Sequence, residues 1–318
     1  MLHAPDFLGY PGVIEMARDH GALVERGLQL RKAGNAVLSL IGGRAVHPIN
    51  VRVGGFYRTP LRAELRKLRD QLEQTRELAL ETVRWTATLQ FPETELALEH
   101  VALSDPNSYP IDRGRIVSDG GLSIPPSRFD EHIVEQQVEH SNALQARLRE
   151  RGTYLTGPRA RYNLASNTLR PLAAEAARDA GLGPTCANPF QSIVVRAVEL
   201  VQASDEALAL IDGYEEPDTP HLEVIPRHAI GHGATEAPRG LLYHRYEIDE
   251  NGTILDARIV PPTSQNQLAI EEDLRAVVER YVDLPDEQLR LRCEQAIRNH
   301  DPCISCSTHF LDLTVHRE

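Results

Sequence analysis

The chain has 318 residues, of which 41% are hydrophobic and 25% are charged. This length and composition suffice for one large or two modest globular domains and exclude collagen-like and disordered classes. Acidic residues outnumber basic ones by 46 to 34, which gives a formal net charge of -12. Such a charge disfavours nucleic acid and anionic membrane surfaces as partners. No run reaches the roughly 18 apolar residues of a spanning helix, so membrane insertion is not predicted.

The cysteine content points to a reducing compartment. The chain contains 4 cysteines, too few for the disulfide framework of a secreted protein. The first residues, MLHAPDFLGYPG, lack the basic and apolar segments of a secretory signal. We therefore predict a cytoplasmic protein in which the isolated Cys186 and Cys293 are buried as small apolar side chains.

The N-terminal third predicts two long helices. Apolar residues recur at intervals of three and four over residues 12–40, with an expected break near Gly34. A loop rich in glycine and proline follows, and residues 61–89 then repeat leucines among dense charges. Two long helices with polar outer faces predict bundle packing.

The rest of the chain mixes helical patterns with short strands. We expect turns and small strands over 104–128, and a β-hairpin from GLLYHRYEI and ILDARIV around Asn251 and Gly252. Further helices are predicted at 127–150, 169–180, 188–210, 266–281 and 285–299. The predicted fold class is α+β and predominantly α, a long-helix bundle core with a small β component, in one domain spanning 1–318.

The segment DPCISCSTH near the end of the chain carries the strongest chemical signal. It places Cys303 and Cys306 three residues apart, between Asp301 and His309. Two thiolates at this spacing can face one ion, and sulfur ligands select zinc, copper, nickel or iron over magnesium and calcium. The segment therefore predicts a site for a soft metal.

Other interpretations of the two cysteines are open at this point. A structural zinc site needs four ligands, and no second pair lies nearby. A thioredoxin-like redox pair needs a helix and further sheet after it, whereas only twelve residues follow Cys306. Two idle buried thiols are the remaining alternative, which the flanking Asp301 and His309 make less attractive.

Four motifs in the same order resemble the large (alpha) subunit of nickel-iron hydrogenases. DPCISCSTH is similar to the C-terminal Asp-Pro-Cys-x-x-Cys-x-x-His signature of that family. EAPRGLLYH, PPTSQN and the pair GRAVHP and GGFYR resemble three other family segments. The residues in these motifs are most similar to those of the soluble, cofactor-coupled members of the family, including the sulfhydrogenase type. The resemblance implies the large-subunit fold and reversible oxidation of H2, with electrons passed to an iron-sulfur small subunit.

The resemblance also implies a ligand set. Cys303 would be a terminal nickel ligand, and Cys306 would bridge nickel to an iron that carries CO and cyanide. His309 would bind magnesium together with the backbone carbonyl of Ile259. Since imidazole is a poor ligand for hard magnesium, reasoning from the residues alone would have placed His309 on the transition metals.

Five further residues would surround the metals by the same resemblance. Arg239 would lie over the open position, Pro238 would help to wall it, and Asp301 would orient Arg239 or take a proton. Thr263 and Ser264 would donate hydrogen bonds to a diatomic ligand on iron. From the residues alone, Arg239 could be an ordinary arginine at the start of a strand, Asp301 a turn-forming residue, and Thr263 or Ser264 a cap for the helix near Asn266.

One departure from the family pattern is informative. The family supplies two further cysteines in an Arg-x-Cys-Gly-x-Cys context near its N-terminus, and this sequence has none there. We therefore expect an N-terminally truncated, incomplete large subunit that is inactive alone, or a degenerate subunit that serves as a scaffold. The implied partners are the small subunit, NAD(P)-linked diaphorase subunits, nickel-insertion proteins and a maturation peptidase. The peptidase would remove residues 310–318, or the FLDLTV stretch, which has the pattern of a short strand, would dock permanently.

Overall fold

The computed structural model describes residues 4–94, 97–302 and 314. The chain is 48% helical and 20% strand, which confirms the predicted mixed fold with more helix than strand. It divides into two compact units whose segments alternate along the sequence. Unit 1 contains Met1–Leu89, Arg170–Gly181 and Arg196–Arg227, and unit 2 contains Gln90–Leu169, Leu182–Val195 and His228–Glu318. The single domain over 1–318 stays a prediction.

The α-helices of the described chain differ widely in length. In chain order they are α1 (Ala4–Leu8), α2 (Val13–Asp19), α3 (Gly21–Gly42), α4 (Arg62–Thr86), α5 (Phe129–His132), α6 (Pro158–Ala165), α7 (Pro171–Asp179), α8 (Ser192–Asp212), α9 (Pro262–Tyr281) and α10 (Asp286–Asn299). None of them is long and apolar enough to cross a membrane.

The strands are short and form small sheets. They are β1 (Val51–Arg52), β2 (Gly55–Phe56), β3 (Glu99–Ser104), β4 (Arg115–Ser118), β5 (Ser123–Ile124), β6 (Ile133–Val138), β7 (Ser141–Leu148), β8 (Tyr154–Leu155), β9 (Ala229–Ala237), β10 (Gly240–Ile248) and β11 (Ile254–Val260). The sheet orders are β1-β2, β5-β4-β3-β8, β6-β7 and β11-β10-β9. All pairs are antiparallel except β3 with β8.

The core of unit 1 lies between helices. Leu65, Leu68 and Leu72 recur at helical spacing on α4 and pack with Leu208 of α8, while residues of α3 cover the same cluster. Each large apolar side chain buried in this way contributes about 1.5–3 kcal/mol. The bundle predicted from the apolar periodicity is therefore present in this unit.

The core of unit 2 is built on strands. Val101 and Leu103 of β3 and Leu241 and Tyr243 of β10 are fully buried in one cluster. The ring of Tyr243 stacks on Phe129 with centroids 4.0 Å apart and planes 10° from parallel. Strand β10, which contributes Leu241 and Tyr243, begins at Gly240, directly after the predicted site residue Arg239.

The prediction of a helix at 127–150 is wrong. The segment forms the short helix α5 and then the hairpin β6–β7, in which Ile133 pairs with Leu148. The apolar spacing in IVEQQV is compatible with a helix or a strand. The pairing of the two strands, which buries Ile133 and Leu148, favours the strand. Tertiary burial therefore overrides local helix propensity here.

Smaller differences concern element boundaries. The first long helix breaks at His20, between α2 and α3, whereas Gly34 lies inside α3. The loop after it contains β1 and β2, and the predicted hairpin gains a third strand, β9. Helix α9 begins at Pro262 instead of Asn266, because a proline at the first helical position needs no hydrogen-bond acceptor.

Candidate active site around Arg239

Arg239 lies in the tight turn between β9 and β10. Ala237 pairs with Gly240, so Pro238 and Arg239 alone connect the two strands. The Arg239 Nε donates to the main-chain oxygen of Asp301 at 2.6 Å and lies 3.4 Å from its Oδ2. The two side chains are 38% and 21% exposed. The fold thus brings together two of the residues that the sequence analysis assigned to one site.

The end of α10 presents Asp301 to this arginine. The amide of Asp301 donates to the carbonyl of Arg298 at 2.9 Å, and its φ of 47° is left-handed. Aspartate tolerates this conformation better than most residues because its side chain is short and polar. Pro302, which cannot continue a helix, follows and is buried. The predicted turn at Asp301 is therefore also the helix terminus that contacts Arg239.

Three successive carbonyls of the turn accept hydrogen bonds from side chains. Arg161 donates to the carbonyl of Ala237 at 2.8 Å through Nη1 and to that of Pro238 at 3.1 Å through Nη2. Asn266 Nδ2 lies 3.4 Å from the carbonyl of Arg239. Loops usually satisfy such groups with water, so this turn is held from within the protein.

The cation that holds the turn is itself paired. Arg161 Nη1 lies 3.0 Å from Oε2 of Glu236, and the two side chains are 4% and 0% exposed. The other oxygen, Oε1, accepts a hydrogen bond from the amide of Leu103 at 2.8 Å. A buried charge is tolerated only when it is paired and hydrogen-bonded. This ion pair therefore links β3 to the turn that carries Arg239.

Two glycines allow the backbone to pack closely at the same place. A Cβ on Gly157, which has φ 114°, would lie 2.7 Å from the carbonyl oxygen of Arg239. A Cβ on Gly240 would lie 2.6 Å from Cγ2 of Thr156. Thr156 Oγ1 accepts a hydrogen bond from the amide of Leu241 at 2.8 Å. The segment before α6 thus lies directly against the Arg239 turn.

Other predicted site residues lie on neighbouring elements. Ile259 is on β11, opposite His244 of β10, and is 51% exposed. Thr263 and Ser264 lie in the first turn of α9, behind the N-cap Pro261, so neither is the cap that the alternative interpretation expected. Ser264 Oγ lies 3.1 Å from both Glu135 Oε1 and the carbonyl of Pro261.

The predicted metal ligands on side chains fall outside the described residues. These ligands are Cys303, Cys306 and His309. Residues 310–318, except for Thr314, also lie outside the described residues. Within the part of the chain that the structure describes, no group of three or more histidine, cysteine or acidic side chains is placed to hold a metal. The described residues therefore contribute only the surroundings of the predicted site, and ligation by the two cysteines of the DPCISCSTH segment stays a prediction.

A second buried polar cluster lies in unit 2. His300 Nε2 is 2.9 Å from Oδ2 of Asp273, and both side chains are almost fully buried. Among the described residues, Asp273 Oδ1 and the Nε and Nη2 atoms of Arg159 have no hydrogen-bond partner. Burial lowers the pKa of Arg159, and Cys186 and Asp273 oppose that shift. Burial also raises the pKa of the Cys186 thiol, and both Cys186 and Cys293 are buried as predicted.

Reasoning from the sequence missed the residues that hold the turn. Arg161 lies in GPRARYN, whose glycine and proline predict a break between helices, whereas the structure begins helix α6 at Pro158. Glu236 directly precedes the Ala-Pro-Arg-Gly motif, and an acidic residue entering a strand is a weak indication of a buried partner. Asn266 closes the PPTSQN motif, which is the one signal that could have found it.

Comparisons with known proteins bear on this site. Residues 168–309 match the family described as nickel-dependent hydrogenase. The chain is 31% identical over 320 residues to sulfhydrogenase 1 subunit alpha of Pyrococcus furiosus, covering 98% of this chain and 74% of that one. It is 28% identical over 337 residues to the NAD-reducing hydrogenase HoxS subunit beta of Cupriavidus necator, with coverages of 94% and 67%.

Solved structures share the fold. A NAD+-reducing NiFe hydrogenase in the H2-reduced state superposes with a TM-score of 0.82 at 22% identity, over 96% of this chain and 74% of that one. The Ni-Fe-Se hydrogenase from Desulfomicrobium baculatum in a reduced, active form gives a TM-score of 0.69 at 18% identity, with coverages of 91% and 69%. The match to the sulfhydrogenase subunit extends over nearly the whole chain and includes the Arg239 turn and the DPCISCSTH segment. The chain belongs to the nickel-dependent hydrogenase family, as a large subunit.

Proposed function

We propose that this chain is the metal-carrying subunit of an enzyme that reversibly oxidises H2 to protons and electrons. The observation that carries the proposal is the contact between Arg239 and Asp301, at the point where the chain enters its two-cysteine motif. A permanent cation in contact with a carboxylate, which two soft thiolates follow in the sequence, suits a reaction that splits H2 into protons and electrons. Members of the same family are named hydrogenases.

The proposed ligands are those of the family signature. Cys303 and Cys306 would hold nickel, and Cys306 would also hold an iron that carries CO and cyanide. Thiolates suit both metals. Bound there, the metals would polarise H2 and lower the barrier to its splitting. A magnesium held by His309 and the carbonyl of Ile259 remains part of the proposal.

Arg239 and Asp301 have distinct roles in the proposed reaction. The guanidinium of an arginine is a permanent cation, so Arg239 supplies fixed positive charge and hydrogen-bond donors. The carboxylate of Asp301 is the group that can accept a proton and pass it on. The Arg239 guanidinium orients it, with Nη2 3.5 Å from Oδ1 and Nε 3.4 Å from Oδ2. Pro238 contributes an apolar wall beside them.

Thr263 and Ser264 are proposed to donate to a diatomic ligand on iron. The first amides of a helix have no acceptor within it, so those of Thr263 and Ser264 at the start of α9 can serve as donors. The hydroxyl of Ser264 already faces Glu135 and Pro261. The backbone amides, together with the Thr263 hydroxyl, are therefore the donors we favour.

The proposed assembly follows the names of the relatives, which are subunits of larger hydrogenases. Electrons would leave through an iron-sulfur small subunit and, in a cofactor-coupled enzyme, through NAD(P)-linked diaphorase subunits. Nickel-insertion proteins and a peptidase would complete the metal site. We propose that the assembly is located in the cytoplasm. The presence of a second cysteine pair in an upstream segment stays a prediction.

Metal analysis and turnover test the proposal together. We expect the natively purified complex to contain nickel at about one per chain and to reduce a dye with H2. A complex without nickel and without turnover would instead identify the chain as a scaffold. Arg239→Lys should keep the nickel and lower kcat about 100-fold, the range of a lost proton-transfer or electrostatic group. Arg128→Lys, in an exposed pair with Glu131, is the matched control and should match wild type.

The C-terminal residues provide a separate prediction. If maturation removes residues 310–318, the intact mass of the chain in the active complex should correspond to an end at His309. An active, nickel-containing chain that still ends at Glu318 would contradict removal. In that case the apolar FLDLTV stretch would be a permanent part of the protein.

A further inference from the structure

We propose that Arg161 and Glu236 are a positioning pair for Arg239. They fix the turn between β9 and β10 and thereby set where the Arg239 guanidinium meets Asp301. The inference rests on the proposed function of Arg239. Arg161 holds the carbonyls of Ala237 and Pro238, the two residues directly before Arg239, so we expect the effect of the pair to pass through Arg239.

The geometry of the guanidinium is the first argument. Nη1 of Arg161 is shared between the Ala237 carbonyl and Glu236 Oε2, while Nη2 reaches the Pro238 carbonyl. One rigid planar group thus holds two adjacent carbonyls and a carboxylate at once. A lysine ammonium is a compact point charge on a flexible stem and cannot reproduce this spacing.

The anchoring of Glu236 is the second argument. Its Oε1 accepts from the amide of Leu103, and its own amide donates to the carbonyl of Ile111 at 2.6 Å. Leu103 belongs to β3 and is fully buried in the core of unit 2. The position of the turn is therefore set by the core through a chain of short polar contacts from β3 to Glu236, Arg161 and the two carbonyls.

The exposure of Arg239 makes such support necessary. Its side chain is 38% exposed, and a long side chain at that exposure loses rotamer freedom when it is held in one place. Arg161 and Glu236 reduce the conformational freedom of the backbone turn that carries Arg239. Only the side chain of Arg239 then remains to be ordered. Misplacement of a reacting group by about 1 Å can cost roughly 100-fold in rate.

Two substitutions separate the pair from the rest of the site. Arg161→Lys keeps the charge and removes the double carbonyl contact, and Glu236→Gln keeps the shape and an acceptor for Leu103 while removing the charge. If one of the two variants fails to assemble, the other still tests the pair. Arg159→Lys is the matched control, because Arg159 is equally buried in α6 and its Nε and Nη2 have no hydrogen-bond partner in the described chain.

We expect a defect in kcat without a defect in binding. In the natively purified complex, Arg161→Lys and Glu236→Gln should retain nickel and a wild-type KM for H2, with kcat lower by about 10- to 100-fold. Arg159→Lys should match wild type. Equal losses in all three variants would contradict a specific role for the pair, as would a wild-type kcat in Arg161→Lys.

A double-mutant cycle distinguishes positioning from general stability. If Arg161 acts through Arg239, adding Arg161→Lys to Arg239→Lys should lower kcat by less than twofold further, because residues acting as a unit are not additive. A merely structural role would give the full 10- to 100-fold loss in both backgrounds, and that result would overturn the inference.

A crystal structure gives a readout that does not depend on turnover. In Arg161→Lys we expect the Arg239 Nε to lie beyond about 3.5 Å from the Asp301 carbonyl, outside hydrogen-bond range. An unchanged contact would overturn the positioning inference even if activity fell. A wild-type complex that fails to turn over H2 would overturn the proposed function and leave this structural outcome as the test of the pair.

Discussion

Gly157→Ala tests whether close backbone packing holds the Arg239 turn. Gly157 has φ 114° and ψ -161°, a combination open essentially to glycine alone. Forcing alanine into it costs about 1–3 kcal/mol. The new Cβ would also lie 2.7 Å from the carbonyl oxygen of Arg239, and such overpacking costs roughly another 1–3 kcal/mol. The expected loss of unfolding free energy is therefore about 2–6 kcal/mol.

A loss of this size is a large part of a typical stability of about 5–15 kcal/mol, so urea-induced unfolding should resolve it. The matched control is Gly121→Ala in unit 2, where φ is 93° and no atom lies within 4 Å of the new Cβ. It should lose only the conformational cost of about 1–2 kcal/mol. Because the Arg239 carbonyl must move in Gly157→Ala, kcat should fall there and not in Gly121→Ala. Equal losses of stability and activity in the two variants would refute the packing argument.

Two further predictions concern the buried polar cluster of unit 2. Burial raises the pKa of the Cys186 thiol, so its stabilising contribution is complete below the unfolded pKa of about 8.5 and is lost as pH rises through the folded value. Mass spectrometry should find Cys186 unlabelled by a thiol reagent at pH 8 until the protein is denatured, and Cys186→Ala should flatten the decline in stability above that pH. Rapid labelling of the native protein would contradict this. Arg159→Met removes a buried cation whose Nε and Nη2 have no partner in the described chain, so unfolding free energy should rise by about 1–3 kcal/mol. A loss of stability or of nickel in that variant would show instead that the guanidinium holds a group beyond the described residues.

Local sequence patterns determined much of the secondary structure. Leu65, Leu68 and Leu72 repeat at helical spacing and form one face of α4. Asn251 and Gly252 supply the turn chemistry of the hairpin β10–β11, where Gly252 has φ 82°. These patterns can be recognised from the sequence because they depend on residues only a few positions apart. The hairpin β6–β7 escaped prediction because its pattern permits a helix and only burial of Ile133 against its partners selects a strand.

The sequence also predicted part of the chemistry of the site. The Asp-Pro-Cys-x-x-Cys-x-x-His and Ala-Pro-Arg-Gly motifs identified Arg239 and Asp301 as members of one site, and these residues meet in the structure. Their motifs carry chemistry that residue type alone reveals, such as soft thiolates and a permanent cation. The roles of Cys303, Cys306 and His309 remain predictions, since these residues lie outside the described chain.

Only the tertiary structure decided how Arg239 is held. Arg161 and Glu236 are 75 residues apart in the sequence, and Arg239 and Asp301 are 62 apart. No local pattern reports such a pairing, because an isolated arginine or glutamate in the sequence most often indicates an exposed side chain. The fold reverses that expectation by burying both charges together, since each is tolerated in the core only in the presence of the other.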